Sequence, residues 1–177
     1  MRLLPGLCAA ALLAGPLAAQ GFTAPVVSDL DGDGAAETFT LLDSGDGTAD
    51  LRIEAGRSVI HAESIAWKGG IGQEPELAVL PNGSVQVISM NEAIGRSRWR
   101  QALTIAHRDG AYRVAGITYG WYDTIDNTGG TCDFNLLTGR GIIERDDGSR
   151  REVAAPLPAL PVTEFRDDTF TVPEGCY

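Results

Sequence analysis

The stretch Asp29-Leu30-Asp31-Gly32-Asp33-Gly34-Ala35-Ala36-Glu37 gathers four acidic side chains into nine residues. The aspartates stand at alternate positions, glycines follow Asp31 and Asp33, and the glutamate comes four residues after the last aspartate. A hard cation such as calcium takes about six to eight oxygen ligands at roughly 2.3–2.6 Å, and a tight carboxylate-rich turn supplies several of them at once. Without a cation, acids packed this closely oppose one another's ionisation, so the spacing itself argues for an ion. The competing arrangement is a solvated acidic turn in which each aspartate accepts hydrogen bonds from its own backbone.

Calcium ligands in an EF-hand loop fall at positions 1, 3, 5, 7, 9 and 12. Here these are Asp29, Asp31, Asp33, Ala35, Glu37 and Thr40. The seventh position contributes a backbone carbonyl, so Ala35 serves, and Gly34 stands where positive φ costs little. Thr40 cannot give the bidentate carboxylate of the twelfth position, and the residues after it read as strand, which excludes the helix–loop–helix form. The segment resembles the Asp-x-Asp-Gly-Asp-Gly-x-x-Glu loop of the FG-GAP and VCBS-repeat families, where the loop precedes a β-strand and holds one calcium. The resemblance runs from Asp29 to about Leu42, and more loosely through Asp46-Gly47-Thr48-Ala49-Asp50-Leu51. It implies Asp29, Asp31, Asp33 and Glu37 as side-chain ligands and Ala35 as a backbone ligand. It does not bring the propeller of multi-copy members, because one copy stands in a chain too short for one. Asp43, Asp46 and Asp50 are further acids, read as turn residues before distal ligands.

Other constellations are thinner. His61 and His107 lack ligand-spaced partners for zinc, and neither Cys-x-x-Cys nor Gly-x-Ser-x-Gly is present. A hydrolase using paired carboxylates near Tyr119–Asp126 is a rival function. Enzymatic activity is the lesser expectation, because sequence spacing cannot set two acids across a cleft. Arg96, Arg98 and Arg100 alternate, so an extended backbone projects them on one face. They pair with the chain's own acids or form an anion or partner site. Tyr119, Trp121 and Tyr122, with Trp67 and Trp99 nearby, are core packing or a platform for a glycan or protein partner.

The elements that must carry these residues are strands. After residue 21, short apolar or alternating runs are broken by Gly, Asp-Gly and Pro, with no sustained helical period. Residues 37–42 leave the acidic loop as a strand, Ser44–Thr48 turns, and 50–54 returns. Residues 77–80 and 84–89 flank Pro81-Asn82-Gly83, and 98–107 and 111–122 flank Arg108-Asp109-Gly110. A third pair runs from Cys132 to Glu144, turns at Asp146-Asp147-Gly148 and returns over 150–154. Pro156, Pro158 and Pro161 mark an extended segment outside the sheet or at its edge. The expected fold is a single all-β domain of consecutive antiparallel hairpins over 21–177, with sandwich, open sheet and barrel undecided.

The ends and the composition set the compartment. Met1-Arg2, the apolar Leu3–Leu17 and the small residues before Gln20 have the layout of a secretory signal peptide, residues 1–20. The run is too short and Ala/Gly-rich for a convincing membrane span. Cys8 leaves with it, so Cys132 and Cys176 are expected to form a disulfide in the periplasm or outside the cell. The formal charge is −10, becoming −11 once Arg2 is removed, with 13 Lys+Arg against 24 Asp+Glu. Such a balance excludes non-specific nucleic-acid binding and suits divalent cations. The expected function is an exported calcium-binding module with a structural ion; a small hydrolase and an inhibitor or adaptor docking another protein are the alternatives.

Overall fold

A computed structural model describes residues 22–177. The signal-peptide expectation falls on residues 1–20 and lies outside them. The strands are β1 (Val26–Ser28), β2 (Glu37–Asp43), β3 (Thr48–Ala55), β4 (Ser58–Trp67), β5 (Glu76–Val79), β6 (Val85–Asn91), β7 (Ser97–Arg108), β8 (Ala111–Asp123), β9 (Thr128–Asn135), β10 (Arg140–Arg145) and β11 (Arg150–Ala154). Helical structure among the described residues is one 3₁₀ turn, Asp167–Thr169. No helix there is long and apolar enough to cross a membrane.

Every strand pairs antiparallel with its sequence neighbour, as consecutive hairpins require, and the chain changes sheet once, between β4 and β5. The first sheet has the order β1-β2-β3-β4 and the second β11-β10-β9-β8-β7-β6-β5. The sheets do not close into a barrel, which removes that alternative. Period-2 alternation turns Phe39, Leu41, Leu51 and Ile53 of the first sheet inward. They share one core with Val85, Leu103, Ile105, Val114, Ile117 and Phe134 of the second.

Turn chemistry sets the registers. Asp109 and Gly110 both have positive φ, 52° and 72°, between paired Arg108 and Ala111; this is the geometry of a two-residue hairpin loop. The expected single run from Cys132 to Glu144 is wrong. It is two paired strands, β9 and β10, with Asn135 opposite Arg140. The reversal is built by Asn135, whose side-chain oxygen accepts the Thr138 N–H, and by Gly139 at φ 69°. Leu136 and Leu137 disguise this turn as strand, although Leu137 is exposed.

The proline-rich segment lies outside the named strands, as expected, but bends at Pro156 and Leu157 and turns directly after Pro161. It docks on β8 through an isolated bridge, Arg113 to Pro161, and through N–H bonds from Val114 to Leu160 O and from Val162 to Tyr112 O. The Cys132–Cys176 disulfide is formed and fully buried, fastening the C-terminal segment to β9.

Candidate metal centre

Glu37 opens β2, and Phe39 and Leu41 face the core. Strand parity therefore turns Glu37 inward too, and it is 1% exposed. A buried acid needs partners. Its Oε2 accepts the Leu30 backbone N–H at 2.7 Å, and its Oε1 accepts the Tyr112 hydroxyl at 3.0 Å. Tyr112 belongs to β8 of the second sheet, so one side chain joins the acidic loop to both sheets. Burial, the bond to Glu37 and the negative field of Glu37, Asp31 and Asp33 push the Tyr112 phenol well above its usual range. The hydroxyl therefore stays protonated and remains a donor.

The loop before β2 winds around its own carboxyl groups. Asp29 accepts the Gly32 N–H on Oδ1 and the Gly34 N–H on Oδ2, at 2.9 and 3.1 Å. Asp31 Oδ1 accepts the Asp33 N–H at 3.0 Å, and Asp33 Oδ1 accepts the Ala35 N–H at 2.7 Å. Gly32 and Gly34 hold φ of 79° and 92°, which reverses the chain fast enough to bring these acceptors round. The Asp31 and Asp33 bonds are Asx-turns, those of Asp29 reach further along the loop, and all leave lone pairs over, because each carboxyl oxygen has two.

One oxygen each from Asp29, Asp31 and Glu37 lies within 4.8 Å of the others. Two oxygens bound to one calcium at about 2.3–2.6 Å are at most roughly 5 Å apart, so the three fit a common ion, and an all-oxygen donor set suits a hard cation. The converging group does not include Asp33, which is exposed and turned to the Ala35 amide. Ala35 is exposed beside it.

The acids downstream are engaged elsewhere. Asp43 pairs with Lys68 at 2.6 Å, and Asp46 accepts from the Ser44 and Thr48 hydroxyls. Those bonds hold both carboxyls below their usual range. Asp50 meets His61 Nε2 at 2.9 Å and accepts the Ser64 N–H. His107 packs on the Tyr112 ring at 4.9 Å.

The arginine stripe divides. Arg96 lies just before β7 and binds Asp123 at 2.6 Å and Asp126 at 2.5 Å. Arg100 reaches Glu76 at 3.3 Å, an exposed pair worth little. Arg98 has no ion pair among the described residues, and its Nη1 is shielded without an acceptor. Hydrogen bonding to Arg96, then to the Asp126 and Ile125 amides, holds the Asp123 carboxyl down at about 2. A carboxyl so held is a poor general acid near neutral pH.

The aromatic run is mostly packing. Tyr119 is buried and stacks on Trp99, which also meets Trp67 at 5.4 Å. The Trp121 ring lies over Gly130, where a Cβ would collide with it. Tyr122 is exposed, its hydroxyl donating to Asn127 Oδ1. With Trp99, Tyr119 and Trp121 it lines a pocket of about 270 Å³.

Sequence reasoning identified the loop but missed the inward turn of Glu37 and the contact with Tyr112. The first was readable, because Phe39 and Leu41 fix the parity of Glu37. The second had no local signal, being a contact across 75 residues. No family model matches the chain, and neither a curated protein nor a solved structure matches it.

Proposed function

We propose that this chain is an exported β-domain whose Asp29–Glu37 loop holds one calcium ion in a structural role, and that the domain serves as a binding or structural module in the periplasm or outside the cell. The observation that carries the reading is the convergence of Asp29, Asp31 and Glu37 on one point, with Glu37 anchored by Tyr112. Asp29 and Asp31 would hold the ion from the loop and Glu37 from the sheet, and the ion would offset their mutual repulsion. The buried disulfide supports an oxidising compartment, and the acidic balance favours cations over nucleic acid.

Thermal unfolding tests this directly. Extracellular calcium modules bind at about 10⁻⁴–10⁻³ M. About 10 mM calcium then adds roughly 1.4–2.7 kcal/mol by linkage. For a chain of this size that raises Tm by roughly 3–11 °C over the value in chelator. Asp31→Ala removes the increment. A Tm that neither chelator nor Asp31→Ala moves would count against the ion.

A further inference from the structure

The β10–β11 hairpin carries four of the chain's fourteen basic residues, Arg140, Arg145, Arg150 and Arg151. Arg151 pairs opposite Ile143, which turns inward to the core, and Arg145 lies two residues further along β10. Both arginines therefore project on the inner face of the sheet edge, as diagonal cross-strand neighbours.

They converge over Gly175. A Cβ built there would lie 3.0 Å from Arg151 Nη2 and 3.8 Å from Arg145 Nη2, so the two guanidinium groups approach within about 7 Å. Arg145 Nη2 donates to the Gly175 carbonyl at 3.3 Å. Among the described residues the Arg151 side chain has no hydrogen bond or ion pair, and Arg145 has no ion pair, although its charge acts on the nearby Asp147 carboxyl. Their neighbour Arg150 is bound to Glu144 at 3.2 Å. Like charges placed this close oppose each other, and the arrangement is conspicuous in a chain with 24 acids and 14 bases.

The convergence is built. Gly175 holds φ 98°, a conformation that side chains resist, and a Cβ there would press on Arg151 Nη2 at 3.0 Å. The buried Cys132–Cys176 disulfide fixes the next residue against β9. Above the two arginines is a cavity of about 520 Å³, bordered also by Ile143, Ser149, Arg150 and Glu174.

We infer that this cavity binds a tetrahedral oxyanion carried as a phosphate or sulfate ester. Planar guanidinium forks match such oxygens through paired N–H donors. The cavity has more room than a bare anion needs, so the body of an ester such as a sugar fits beside the anion. Glu174 also borders the cavity and disfavours a polyanion. The arginines are exposed, so affinity is modest and falls with salt.

The test uses the purified protein with glucose 6-phosphate, glucose 6-sulfate and glucose as probes, at constant ionic strength, followed by NMR. The expected result is saturable shifts at the Gly175 amide and the Arg145 and Arg151 Nε–H groups with at least one ester and none with glucose. Which ester binds more tightly identifies the source of the anion. Arg151→Gln and Gly175→Ala each weaken binding at least fivefold, while Arg108→Gln, on the β7–β8 hairpin, does not. Arg145→Gln replaces any variant that fails to fold. Shifts that sodium chloride reproduces, an adventitious ion only, overturn the proposal, as do equal affinities in wild type and Arg151→Gln or the absence of shifts.

Discussion

Glu37→Ala lowers stability by about 2–4 kcal/mol in the presence of chelator, before any ion is involved. The substitution strands the buried Tyr112 hydroxyl, and an unsatisfied buried donor costs about 1–3 kcal/mol. The part-buried Leu30 N–H loses its acceptor too, with a smaller penalty because water reaches it more easily. Denaturant unfolding in chelator measures the sum. Glu37→Gln separates packing from charge, because it keeps the shape and one carbonyl oxygen for Tyr112. It is therefore milder than Glu37→Ala in chelator, yet loses the calcium-dependent increment as fully. Equal stability of wild type and Glu37→Ala in chelator would show that the bond between the sheets carries no weight.

Replacing Cys132 and Cys176 by alanine has a comparable effect by a different route. The bridge spans 44 residues, and closing a loop of that length removes unfolded-chain entropy worth about 4 kcal/mol. The expected fall in Tm is roughly 8–16 °C. Both sulfurs belong to fully buried residues, so a reductant acts on the native protein only as fast as the region opens. Incubation with reductant under native conditions should leave Tm unchanged at first and lower it as the bridge is lost. A double variant as stable as wild type would mean that the packing of Phe165, Phe170 and Val162 alone holds the C-terminal segment.

Turn chemistry made much of the fold legible. Asn82-Gly83, Asp109-Gly110 and Asp147-Gly148 each mark a hairpin reversal, and glycines 83, 110 and 148 have positive φ. His61 read as part of a strand, but the limits of β4 escaped because its pattern is broken. Its register with β3 shifts between Ala49 and Leu51, and Ser64 takes φ 48°. The division into two sheets was not readable either. It depends on which inward faces meet across the core, and alternation within one strand says only which residues are inward.

The candidate site divides along the same line. Three acids of the loop and its glycine turns are local features, and spacing named them. Their anchor is not local: Tyr112 reaches Glu37 from the other sheet. The arginine stripe shows the limit of alternation. Spacing put Arg96, Arg98 and Arg100 on one face, yet Arg96 precedes β7 and is held by Asp123 and Asp126 from the β8–β9 turn region. The converging arginines over Gly175 were invisible in the sequence, because a disulfide and a positive-φ glycine bring residues 30 apart together.

Isothermal titration of the purified protein with calcium, beside Asp31→Asn, tests the central claim most directly. Asp31→Asn keeps the side-chain oxygen that accepts the Asp33 N–H while removing the charge, so the loop keeps its winding. The account predicts one ion per wild-type chain, with a Kd of about 10⁻⁴–10⁻³ M, and binding at least tenfold weaker in the variant. A wild-type protein that takes up no calcium, or a variant that binds it equally well, would contradict it.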